Sequence, residues 1–184
     1  PYSSVDENIF LRGAAAQFEI KKINLLVFGS KKLIDANIKE DSTNTDGDIT
    51  VSSFQSSGIH STISNIENKD AISESIGGGE ISFSNNNIKI GLASAITHYN
   101  GNIERSLSPY SQFQFNSNYN WVTGINYSWI LQNFNFFGEI SRSDNGGIAQ
   151  LHGLLASLHS KVSFSALYRN YGKDYQSIFS FINI

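Results

Sequence analysis

The chain has no cysteine, no methionine and only two prolines. Without cysteine there is no disulfide framework and no thiolate zinc site, although the lack fits an oxidising compartment and a reducing one equally well. Basic charge is also scarce. Thirteen Lys+Arg stand against sixteen Asp+Glu, a net charge of −3, with no basic cluster, so no nucleic-acid surface is expected on this segment. No apolar run approaches the roughly 18 residues of a transmembrane helix. What remains is rich in Asn and Ser, and its aromatic content of 12 % is too high for a solvated tail; the composition reads as polar β-structure.

Period-two patterning supports that reading. In NWVTGINYSWILQNFNFFGEI (120–140), Trp121, Ile125, Tyr127, Trp129 and Leu131 share one parity while Asn126 and Ser128 fall on the other. Ile81 and Phe83 alternate with Glu80, Ser82 and Ser84, and Val162, Phe164, Ala166 and Tyr168 alternate with Ser163, Ser165 and Arg169. This is the strand signal. Strands are expected at about 8–20, 22–38, 76–84, 88–99, 120–131, 134–142, 148–158 and 161–171, with a ninth starting near 176. Leu151 to Leu158 is apolar on both parities, which suits a strand packed on its inner side against a plug or loop. Arg12 and Glu19 fall on opposite parities, so a bulge separates them or one lies beyond a membrane.

The connections sort by length. Lys21-Lys22, Asn85-Asn86-Asn87, Gln132-Asn133 and His159-Ser160 are short, and Asn suits such hairpins because it tolerates positive φ. The alternating connections, about 39–75, 100–119, 143–147 and 172–175, are longer. An up-and-down meander puts all short turns at one end and all long loops at the other, as in transmembrane β-barrels. Most runs also reach the 9–11 residues, roughly, that a tilted membrane strand needs. A soluble β-sandwich would give the same period by burying its apolar face, but it has no reason to sort its loops. The expected fold is therefore all-β, an antiparallel up-and-down transmembrane β-barrel of about eight or nine strands, with 1–184 a single segment and 39–75 its long external loop. The start PYSSVDENIF lacks the basic and apolar parts of a secretory signal, and SIFSFINI (177–184) reads as the beginning of a strand. The expectation is a piece of a larger barrel.

SDNGGIAQLHGLLASL (143–158) and VSFSALYRNYGKDYQSIFS (162–180), with FLRGAAAQFEI (10–20), KKLIDANI (31–38), SSGIHST (56–62) and SPYSQFQF (108–115), resemble outer-membrane β-barrel proteins of the Bacteroidota. These commonly carry an N-terminal helix-hairpin-helix region, which has no counterpart in this sequence. The resemblance implies a bacterial outer-membrane location and a partial barrel; it carries no catalytic residues and no nucleic-acid binding.

Candidate sites follow from the faces. Trp121, Tyr127, Trp129, Phe164 and Tyr168 are expected to form lipid-facing aromatic belts. Glu80, Lys89, Glu139 and Arg169 are expected to face the lumen or a plug, paired because their signs are mixed; a pore would instead line up one sign. Asp41, Asp46 and Asp48, with Gly47 to make the turn, are weak hard-cation candidates, since their spacing departs from the calcium loop. His60, His98, His152 and His159 lack metal-site spacing. Ser94 or Ser106 with His98 is the one imaginable rim nucleophile set, without an oriented base. Gly77-Gly78-Gly79 reads as a bend in a strand. In TISNIENKDAISES (62–75), Ile63, Ile66 and Ile72 lie at roughly helical spacing, so a short helix there could cap the barrel. The expected function is a structural or scaffold subunit of an outer-membrane assembly, contacting the lipid bilayer and other outer-membrane or periplasmic proteins, without cofactor or catalysis. A passive pore or transporter is the alternative, with a rim hydrolase behind it.

Overall fold

A computed structural model describes residues 10–39, 49–55, 60–104 and 112–177. Its strands are β1 (Gly13–Ile20), β2 (Ile23–Ile34), β3 (Ala36–Lys39), β4 (Thr50–Phe54), β5 (Ile72–Asn85), β6 (Ile88–Tyr99), β7 (Asn102–Ile103), β8 (Tyr119–Leu131), β9 (Phe134–Ser143), β10 (Ile148–His159) and β11 (Val162–Tyr171), with one helix, α1 (Ile63–Glu67). The fold is all-β and antiparallel up-and-down. Eight strands form one sheet in the order β1-β2-β5-β6-β8-β9-β10-β11, and β3-β4-β7 form a second. Among the described residues, β1 and β11 are the edges of the large sheet and are not paired with each other.

The boundaries differ from expectation mainly around the long connections. β2 stops at Ile34, and Asp35 separates it from β3. The Asp35 carboxylate accepts the Asp70 N–H at 2.9 Å and meets His60 Nε2 at 2.8 Å, so the chain turns where a side chain takes over backbone pairing. The span 39–75 is not a bare loop: it holds β4 and α1, and β5 starts early, at Ile72. Likewise the 100–119 connection holds β7. No strand forms over 172–177, where Asp174 and Gln176 instead bond Asn145 and Ser143 of the β9–β10 turn; the rest of the expected ninth strand lies outside the described residues.

The chain divides into two compact units. One comprises Ala15–Phe28, Gly78–Ile96 and Trp121–Ile184 and contains the short hairpins. Lys21 and Gln132 take positive φ, 58° and 52°, as two-residue turns require to follow the strand twist; the left-handed residue of the second turn is Gln132, not its Asn neighbour. The hairpin tips are staggered. Lys22 accepts from Ser84, Asn87 from Ile130 and Asn133 from Ser157, while the receiving strands run on to Asn85, Leu131 and His159. Each hairpin thus steps about two residues beyond the last. With ~3.4 Å per residue and ~4.8 Å between strands, the line of tips makes the strands tilt by about 35°, the value that barrel closure uses.

The register assigns the faces of this unit. Tyr127 pairs with Gly138, Gly138 with His152 and His152 with Tyr168. The same face carries Trp129, Phe136, Leu154 and Ala166 in the next row, then Leu131, Phe134, Ala156 and Phe164. Phe18, Ile23, Leu25, Val27, Ile81, Phe83, Ile88, Ile90, Leu92, Trp129 and Phe164 are all exposed. Apolar area left outside on this scale exceeds what a water-soluble monomer usually tolerates.

The second unit, Pro1–Ala14, Gly29–Gly77 and Thr97–Asn120, has a conventional core. Tyr99, Ile72, Ile103 and Val51 are fully buried, and Tyr99 packs between Phe54 at 5.1 Å and Phe115 at 6.2 Å. β4 joins β3 antiparallel and β7 parallel. Thr62 caps α1 by accepting the Asn65 N–H. Ile63 and Ile66 remain 78 % and 60 % exposed, so α1 does not seat an apolar face on the described residues; Ile72 belongs to β5.

Candidate functional site

The strongest concentration of chemistry on the large sheet lies opposite its apolar face. Period two brings Glu80, Ser82 and Ser84 of β5 to one side, where they line a cavity of about 350 Å³ with Gln17, Asn24, Leu26 and Lys89. Asn126 donates from Nδ2 to Glu80 Oε1 at 3.4 Å. Gly91 makes this contact possible: a Cβ there would lie 2.5 Å from Glu80 Oε1 and 2.7 Å from Asn126 Oδ1. Asn126 pairs with Glu139, Glu139 with Leu151 and Leu151 with Arg169. Glu80, Asn126, Glu139 and Arg169 therefore share this polar face, and Lys89 enters the cavity beside Glu80. No ion pair joins these charges among the described residues. Neutral residues stand between them: Asn126 between Glu80 and Glu139, and Leu151 between Glu139 and Arg169. Two carboxylates and two cations, interleaved with amides and hydroxyls, suit polar protein contacts or water better than a single-sign ion path.

Leu151 and Leu155 lie on the same polar side by register, and Phe137 covers Gly153 there. The apolar second parity of β10 is thus partly filled by an aromatic ring from its neighbour.

On the apolar face, Trp121 donates from Nε1 to Ser94 Oγ at 2.6 Å, and Ser94 also bonds Thr123 Oγ1 at 3.0 Å. Sequence reading missed this use of Ser94, whose hydroxyl is committed to Trp121 and Thr123. His98 is exposed near the end of the same strand, four residues along from Ser94; Ser106 lies outside the described residues. Tyr127 Oη lies 2.9 Å from His152 Nδ1, and the His152 ring stacks on Tyr168 at 6.3 Å. The glycine between them matters: a Cβ on Gly138 would meet Leu151 O at 2.6 Å, His152 Nδ1 at 2.7 Å and Tyr127 Cε1 at 2.8 Å.

In the other unit, Lys32 Nζ lies 3.2 Å from Glu74 Oε1 with both side chains almost fully buried. Tyr99 donates its hydroxyl to Glu74 Oε2 at 2.9 Å, and Lys32 also donates to Phe10 O at 3.0 Å. Elsewhere in the unit, Asn37 links Ser53, Gln55 and Asn68 through their side chains. These contacts are invisible in the local pattern because they join residues 16 to 42 positions apart. Asp41, Asp46 and Asp48 lie outside the described residues, and no group of three potential metal ligands occurs among those described. His60 is bound to Asp35, His152 to Tyr127. His159 lies 3.4 Å from the Ser160 hydroxyl at the β10–β11 turn.

Comparison with known protein families, curated proteins and solved structures finds no match to this chain.

Proposed function

We propose that this chain is part of an integral outer-membrane β-barrel and serves as a structural or scaffold subunit of an assembly there. The observation that carries the membrane assignment is the exposed apolar face, continuous from row to row of the large sheet and backed by a polar face holding Glu80, Lys89, Glu139 and Arg169. Lipid is the solvent that turns such a face from a liability into an asset. A two-residue step per hairpin and a tilt of about 35° suit closure into a barrel with further strands. Trp121, Tyr127, Trp129, Phe164 and Tyr168 then face lipid, and the mixed charges line the interior. The scaffold role rests on the ordered second unit. Its buried core and side-chain network hold β3, β4 and β7 in a fixed shape, a surface suited to binding other outer-membrane or periplasmic proteins.

Purification of the full-length protein from membranes in mild detergent, with bound proteins identified by mass spectrometry, tests the proposal. Stoichiometric companions support the scaffold role. Conductance without companions favours a pore, and recovery without detergent refutes the membrane assignment.

A further inference from the structure

The apolar face of β9–β11 changes character along the strands. From the hairpin end, past Leu158 and the irregularity that pairs Val162 with His159, its rows run Ala156 with Phe164, then Leu154 with Ala166. Next come Gly138, His152 and Tyr168, followed by Ile140, Gln150 and Asn170, and then Arg142 beside Ile148. The first rows are hydrocarbon throughout; the next is a belt of Tyr127, His152 and Tyr168; the last two add an amide pair and a guanidinium. Arg142 is exposed, with no hydrogen-bond or ion-pair partner among the described residues, and no acid lies on this face of the three strands.

Height decides what meets this transition. Leu158 to Gln150 spans eight residues, which at the tilt of about 35° rise about 22 Å, close to the apolar band of about 25 Å on outer-membrane barrels. Rings with a polar tip belong at the rim of that band, and a guanidinium beyond it matches the geometry of a phosphate.

We infer that the outward face of β9–β11 carries the loop-side edge of the membrane, where Arg142, with Gln150 and Asn170, binds the phosphate of an anionic lipid headgroup. This rests on the membrane reading above. Tyr127, His152 and Tyr168 set the depth: Tyr127 Oη bonds His152 Nδ1, the His152 ring stacks on Tyr168, and the rings stand at the border of hydrocarbon and headgroup.

The absence of cysteine in the chain permits a direct test. Spin labels at single cysteines replacing Ala166, Tyr168 or Asn170 are read in the full-length protein, reconstituted in phosphatidylcholine–phosphatidylglycerol nanodiscs. Ala166→Cys is expected to be relaxed by oxygen, Asn170→Cys by a water-soluble nickel chelate, with the change at Tyr168→Cys. Nickel access at all three sites overturns the membrane reading itself. Oxygen access at all three leaves that reading standing and overturns the boundary. For the phosphate, native mass spectrometry of the wild type is expected to retain phosphatidylglycerol, and Arg142→Gln to lose it several-fold. Equal retention overturns the assignment of Arg142, and displacement of the lipid by inorganic phosphate alone would show a plain anion site instead of a lipid one.

Discussion

Leu92 offers the sharpest separation between a face that meets lipid and one that meets water. It lies on β6, four residues from the hairpin end at Ile88, and is 47 % exposed. At the tilt of about 35° that places it about 11 Å above the tips, near the middle of a 25 Å apolar band. Replacing it by arginine on a water-exposed strand changes stability by less than about 0.5 kcal/mol, since no buried neighbour is lost. The same arginine at the mid-plane of a bilayer costs about 2–4 kcal/mol. Leu92→Arg is therefore expected to lose about 2–4 kcal/mol, read as a shift in the urea midpoint for reversible unfolding from phospholipid vesicles. Gln150→Arg, at the edge of the band, should lose no more than about 1 kcal/mol. A Leu92→Arg loss below about 0.5 kcal/mol, with folding and insertion intact, would refute the lipid-facing assignment.

Lys32→Met leaves the Glu74 carboxylate buried without its cation and should cost about 3–5 kcal/mol, seen as faster proteolysis of the segments around β3, β4 and β7; the double variant Lys32→Met/Glu74→Gln should recover most of it. Gly138→Ala directs a methyl at the Leu151 carbonyl and the Tyr127 ring and is expected to cost about 1–3 kcal/mol, measured by the same unfolding assay. Gly91→Ala pushes Glu80 and Asn126 apart at a cost of about 1 kcal/mol, and the cost should vanish in a Glu80→Ala/Asn126→Ala background; a full penalty there would place the strain elsewhere. Trp121 and Trp129 are the only tryptophans, so Trp121→Phe and Trp129→Phe each leave one fluorophore. Lipids brominated on the acyl chain should quench Trp129 strongly and Trp121, a row beyond Arg142, only weakly, and lack of quenching at Trp129 would remove it from the lipid face.

Much of the large sheet is legible in the local sequence. Its strands from β6 to β11 begin and end within a residue or two of the expected runs, because period two and short polar turns are local signals. The grouping of Glu80, Glu139 and Arg169 on one face followed from parity alone. What parity could not supply was register. That Asn126 bridges to Glu80 over Gly91, and that Leu151 separates Glu139 from Arg169, depends on which residues stand opposite across strands.

Local sequence was enough to make the chain β-structured, one-sided and sorted into short turns and long connections. Alternation and turn chemistry act over a few residues and require no partner to be read. Only the folded chain sets the rest: the two-residue stagger that tilts the strands, the joining of β4 and β7, from segments that read as loops, to β3, split from the end of an expected strand, and the burial of Lys32 against Glu74 and Tyr99. Those features arise from contacts between residues far apart in the chain, and hydrogen bonding and ion pairing at such distances leave no period to detect.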